Sequence, residues 1–185
     1  MLNKYVFNPA YTGTTESFEA STQFRYQWLG IKDAPRTYAL TVQGPGKTGN
    51  YGLGGSIYND VAGPTSKSGI YLSYAYHFKL NSTQNISMGL SGGVMQYKVD
   101  GTKIDVFDAG DQVLVNQRLT TLIPDFGFGV YWYSKDKFYL GVSTPQFVQT
   151  NISFSENNSK SKSNLTIHYF VNGGYTFNLT DKFDI

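Results

Sequence analysis

The stretch from Gly69 to Gln96 limits this chain more than any other. Ile70, Leu72, Tyr74, Tyr76, Phe78 and Leu80 fall on one parity, and Tyr71, Ser73, Ala75, His77 and Lys79 on the other. Period two is the mark of a strand with one apolar and one polar face. The run exceeds the ~5–6 residues of an ordinary globular strand and matches the ~9–11 that a tilted strand needs to cross a bilayer. Asn81, Ser82, Thr83 and Gln84 turn the chain. Ile86, Met88, Leu90 and Val94 then repeat the pattern against Ser87, Ser91 and glycines. Two long amphipathic strands about a tight polar turn form a hairpin of a transmembrane β-barrel. On this reading Leu72 faces lipid and Ser73 faces a wet lumen.

Composition fits. Charged residues are 15% of the 185, against ~25% in ordinary soluble domains. The 15 Tyr, 13 Phe and 20 Gly suit sheet with aromatic girdles. No apolar run reaches the ~18 residues of a membrane helix, so a spanning chain of this kind must be a barrel whose backbone groups are all paired. A net charge of +2 gives no basis for nucleic-acid binding. The absence of Cys removes disulfides and thiolate metal sites. No apolar signal segment follows Met1.

About eight strands follow one another in a single domain, residues 1–185. Asn8-Pro9-Ala10-Tyr11-Thr12-Gly13 has turn chemistry ahead of the first strand. In that strand Phe18, Ala20, Phe24, Tyr26 and Trp28 oppose Glu19, Ser21, Gln23, Arg25 and Gln27. Further alternating runs follow at 37–43, 51–57, 126–133, 138–142 and 165–177. The turns at 44–50, 81–84, 134–137 and 179–182 are short. The connections Gly30–Pro35, Val61–Lys67, Val99–Asp125 and Pro145–Ser163 lie at the opposite end, and the last two are long. Outer-membrane barrels have short periplasmic turns and long external loops, which places the N-terminus on the periplasmic side. Trp28 then belongs to the external aromatic belt, and Trp132 with Tyr133 to the periplasmic one.

The ordered motifs carry a resemblance. Asn8-Pro9-Ala10-Tyr11-Thr12-Gly13, then Arg25-Tyr26-Gln27-Trp28-Leu29-Gly30-Ile31 and Ala34-Pro35-Arg36-Thr37 resemble the PorP/SprF family. So do the run from Gly52 to Asp60, Gly63-Pro64, and Leu72-Ser73-Tyr74-Ala75-Tyr76-His77-Phe78. The similarity is densest over Asn8 to Val99. It implies a Bacteroidetes outer-membrane protein associated with type IX secretion, supporting export or surface attachment of large proteins such as gliding adhesins. Its implied partners are a secreted or surface-anchored protein (or that protein's C-terminal domain), other type IX components and membrane lipid. The family's barrels have more strands than this chain supplies, so the chain is expected to cover only part of a barrel.

Candidate partner-binding residues are Arg25, Trp28, Asp105, Asp108 and Asp111, with Phe147 and Asn151 in the second long connection. Asp105, Asp108 and Asp111 could hold Ca²⁺ through oxygen ligands, but their spacing is not that of an EF-hand, and Asp-rich loops are more commonly just solvated turns. Arg25 and Glu19 share one face, where a lumenal ion pair with neighbouring strands is the plainer reading. His77 and His168 sit on polar faces and could share a metal, yet no third ligand stands out. Gly54-Gly55-Ser56 lies inside a strand pattern and is no nucleophile elbow. The glycine clusters precede no helix and are no phosphate loops. No enzyme and no cofactor are expected. A passive porin or small-solute outer-membrane transporter, suggested by the polar lumen face, is the competing function.

Overall fold

The structure is a computed structural model that describes residues 3–103, 118–134, 137–147, 151–153, 162–164, 166–180 and 183–184. Eight antiparallel strands form one sheet in the order β1-β2-β3-β4-β5-β6-β7-β10. They are β1 (Glu19–Tyr26), β2 (Arg36–Pro45), β3 (Tyr51–Ala62), β4 (Thr65–Lys79), β5 (Gln84–Asp100), β6 (Arg118–Ser134), β7 (Phe138–Thr144) and β10 (Phe170–Tyr175). A small hairpin, β8 (Asn151–Ser153) with β9 (Lys162–Asn164), lies between β7 and β10; a second, β11 (Asn178–Thr180) with β12 (Phe183–Asp184), follows β10. Two 3-10 turns, Pro9–Tyr11 and Gly101–Lys103, are the only helical elements among the described residues, and no helix there is long and apolar enough to cross a membrane.

The alternation predicts the two faces correctly, and the burial is inverted relative to a water-soluble sheet. Leu72, Tyr74, Tyr76 and Phe78 are exposed, and so are Leu90, Phe126, Leu140 and Val142. Ser73, Ala75, His77, Ser87, Tyr131 and Ser143 are buried. An apolar outer face and a polar inner face are what lipid outside and polar groups inside select. Aromatic contacts gather toward the two ends of the outer face. Tyr76–Phe78 and Trp132–Phe138 have ring centroids 4.8 Å apart, and Tyr38 touches both Phe24 and Tyr26. Tyr133 departs from its expected belt position. It shares the parity of Tyr131, lies 5.4 Å from that ring, and belongs to the inner face.

The sheet curls. Ser143 of β7 donates to the Phe7 carbonyl at 2.6 Å, and the Gly13 amide donates to Gln43 Oε1 of β2 at 2.6 Å. From β2 to β7 is five strand steps, roughly 24 Å along the sheet. Phe7 and Gly13 are six residues apart, at most about 20 Å when extended, and a 3-10 turn shortens that segment further. Only a concave sheet lets one short segment reach both strands.

Several boundaries differ from the sequence expectation. Val61–Lys67 is not a loop. β3 and β4 pair up to Ala62↔Thr65 around Gly63-Pro64, with Gly63 at φ 56° supplying the left-handed backbone that a tight turn needs. The first long connection is shorter than expected, because β5 and β6 pair out to Asp100↔Arg118. Val94, Gln96, Lys98 and Thr120 mix polarities there, since strand ends that rise past the lipid into water need no apolar face. The eighth strand of the sheet covers Phe170–Tyr175 only. His168 therefore precedes it, exposed and outside any strand. At 81–84 the Asn81 side chain accepts from the Gln84 amide at 2.7 Å and the Thr83 amide at 3.0 Å, an Asx turn.

Candidate functional site

The inner face is occupied by the chain's own N-terminal segment. Asn8-Pro9-Ala10-Tyr11-Thr12-Gly13, expected to be a turn ahead of β1, folds back onto the sheet as a plug. Asn8 is extended, and its Oδ1 accepts from the Ala10 amide at 2.9 Å. Pro9 opens the 3-10 turn, where a missing N–H costs nothing. Thr12 Oγ1 donates to the Pro9 carbonyl at 2.7 Å. Gly13, at φ 72°, turns its amide into Gln43, a backbone conformation natural to glycine.

Polar contacts pin this segment to strand after strand. Asn3 Nδ2 donates to Thr41 at 2.9 Å, Tyr5 Oη to Ser73 at 3.1 Å, and Asn8 Nδ2 to the Val130 carbonyl at 3.1 Å. The Lys4 ammonium lies 3.5 Å above the Tyr139 ring, a favourable cation–π distance. Burial lowers the Lys4 pKa and raises that of Tyr5, the latter partly offset by the Ser73 hydrogen bond. The glycines beneath are the seat. A Cβ on Gly89 would stand 2.3 Å from the Ala10 nitrogen, and one on Gly129 would meet Asn8 Oδ1. Asn8, Ala10 and Thr12 are almost wholly buried as a result.

Beyond the plug, Tyr71 donates to Asp125 Oδ2 at 2.8 Å and stacks on Tyr58 with centroids 5.9 Å apart. Asp125 is 3% exposed. A buried carboxylate of this kind is held by its hydrogen bond.

The described residues of the set expected to bind a partner lie on separate elements. Arg25 is exposed on edge strand β1 and makes no ion pair with Glu19, which instead accepts from Gln43 Nε2 at 2.8 Å. Trp28 is 67% exposed in the connection after β1, at φ 52°. Phe147 is exposed, but its amide donates to the Phe126 carbonyl at 2.7 Å, so it continues alongside β6 instead of lying in a free loop. Asn151 opens β8. Asp105, Asp108 and Asp111 lie outside the described residues; Asp100 pairs with Arg118 at 3.5 Å. No group of three His, Asp or Glu side chains suited to a metal occurs among the described residues. His77 is buried under the plug and His168 is exposed near β10.

Long strands, an apolar outer surface and a polar interior closed by the protein's own N-terminal segment define the wall of a plugged transmembrane β-barrel. The chain belongs to the PorP/SprF family of type IX secretion system membrane proteins, whose family model matches residues 1–185. That family is a secretion-system component and not an enzyme class. No curated protein and no solved structure matches the chain.

Proposed function

We propose that the protein is an outer-membrane barrel accessory to type IX secretion, which binds a large exported protein and supports its export or its attachment at the cell surface. Family membership along the whole chain carries this reading. The plug favours it over a passive porin, because a polar lumen face buried under Asn3–Thr15 offers solutes no open path past those strands. In this reading residues 1–185 are one barrel domain with the N-terminus in the periplasm, working beside other type IX components. The partner contacts the end away from the short turns: Arg25, Trp28, Asp105, Asp108 and Asp111, with Phe147 and Asn151 on the approach to and within the second connection. Long connections on a tight meander are where binding residues concentrate.

The reading predicts a specific phenotype for a loop exchange in the complete protein. Replacing 101–117 or 148–163 with a short Gly/Asn turn leaves the ladder hydrogen bonds from β1 to β7 intact, so folding is retained. A large surface protein then moves into the medium or accumulates inside the cell, as mass spectrometry of surface, medium and periplasm would record. An unchanged surface complement with both exchanged proteins folded rules out these connections as the contact.

A further inference from the structure

The short-turn end of the sheet opens into a cavity of about 930 Å³ that no part of the proposed function uses. The plug residues from Gly13 to Glu16 form one wall; the turns after β2 and β4, with Ser134 at the end of β6 and Lys137 and Phe138 at the start of β7, form others. Three lysines line it: Lys47 on the first turn, Lys79 at the end of β4 and Lys137 just before β7. All three are exposed, and none has a carboxylate partner among the described residues. Among the described lining residues Glu16 is the one acidic side chain.

His77 is the second, independent sign of a ligand. It lines the same cavity and is 6% exposed, yet neither ring nitrogen has a hydrogen-bond partner. The Thr12 backbone approaches it without hydrogen-bond geometry. Buried polar groups are ordinarily satisfied, and an imidazole always has at least one N–H to donate when neutral and two when charged.

We propose that this mouth binds an acidic peptide segment, its carboxylates held by Lys47, Lys79 and Lys137 and the innermost one within reach of His77. Spacing selects a peptide over a lone oxyanion. Lys47 stands on the turn between β2 and β3, Lys79 ends β4 and Lys137 precedes β7, which sets neighbouring lysines roughly 7 and 14 Å apart along the sheet. Lysines rooted that far apart suit several carboxylates on one chain better than a single phosphate. Carboxylates about two to four residues apart on an extended chain, at ~3.3 Å per residue, match these spacings. The cavity volume is also within the ~300–1,000 Å³ typical of ligand sites and far above the volume of a single anion. If the N-terminus is periplasmic, as the proposed function holds, the segment comes from the periplasm; the binding itself does not depend on that orientation.

The test uses the full chain folded in a non-ionic detergent and fluorescein-labelled hexaglutamate, read by anisotropy. Hexaglutamate should bind and weaken with added salt, and hexalysine should not bind. The triple variant K47E/K79E/K137E should bind about tenfold more weakly or worse, because like charges now face the peptide. K32E, in the exposed connection at the opposite end, should bind as the parent does. Should the triple variant fail to fold, the single variants K47Q, K79Q and K137Q should each weaken binding about two- to threefold. Absence of hexaglutamate binding, undiminished binding by the folded lysine variants, or displacement of the peptide by equimolar inorganic phosphate would each overturn the assignment. The loop exchange described above leaves these turns intact, so it should leave hexaglutamate binding unchanged whatever it does to the exported protein.

Discussion

Leu72→Arg is expected to lower the stability of the folded barrel by ~2–4 kcal/mol, the cost of an arginine facing lipid near the bilayer midplane. Leu72 is 72% exposed on the outer face. It lies mid-way along β4, paired with Gly55 and Gly92 on its two sides, so neither residue directly opposite supplies a polar partner for a charge. Gln23→Arg is the matched control. Gln23 lies on the inner face of β1, level with Ala39, half-buried and clear of the plug contacts, and a hydrated arginine there should cost no more than about 1 kcal/mol. Urea unfolding in lipid vesicles, followed by heat-modifiable gel migration, measures both. Equal losses at the two positions would mean that the outer face does not meet lipid.

Ser73, the residue next to Leu72, makes a poor control, although the alternation alone recommends it. It is 7% exposed and accepts the Tyr5 hydroxyl, so an arginine there enters the packed contact between plug and sheet and not a wet lumen. Ser73→Arg should therefore also be damaging, by displacing the N-terminal segment.

The second large effect follows from the seat of the plug. Gly89→Val is expected to unseat residues 3–15, making them sensitive to protease and raising conductance through the reconstituted protein. The new side chain would begin 2.3 Å from the Ala10 nitrogen and 2.4 Å from the Pro9 carbonyl carbon. Both obstacles are backbone, so the strain cannot be relieved by a rotamer change and should reach the upper end of the ~1–3 kcal/mol typical of overpacking. Gly92→Val, three residues on, is the control. Its Cβ would face outward, 3.5 Å from the flexible edge of Phe126, and should be tolerated. Asn8→Leu tests the same seat by a different route. It removes the bonds to the Ala10 amide and the Val130 carbonyl, and each buried group left unpaired costs about 1–3 kcal/mol. If Gly89→Val leaves the N-terminal segment as protected as in the parent, the plug is not held by this close approach.

The two faces, the meander and most of the turns can be read from the order of the residues alone. Each is a local property. Leu72, Tyr74, Tyr76 and Phe78 declare their face because side chains alternate strictly along a strand, and Asn81 forms its turn with residues two and three positions on. The ends of β5 and β6 were harder to read, since the apolar signal stops where lipid stops while the hydrogen-bonded ladder continues. Everything that depends on curl becomes visible only in the folded sheet. Asn8 contacts Val130 and Phe7 contacts Ser143 across 122 and 136 residues of sequence, so the segment that looked like a turn is a plug. Lys47, Lys79 and Lys137 are unremarkable turn residues in the sequence, and they line one cavity because the sheet bends its short turns around a common mouth. Alternation fixes which way a side chain points from its strand; which distant segment it then meets depends on the curvature of the whole sheet, and that is a sum over all the strands that no single stretch encodes.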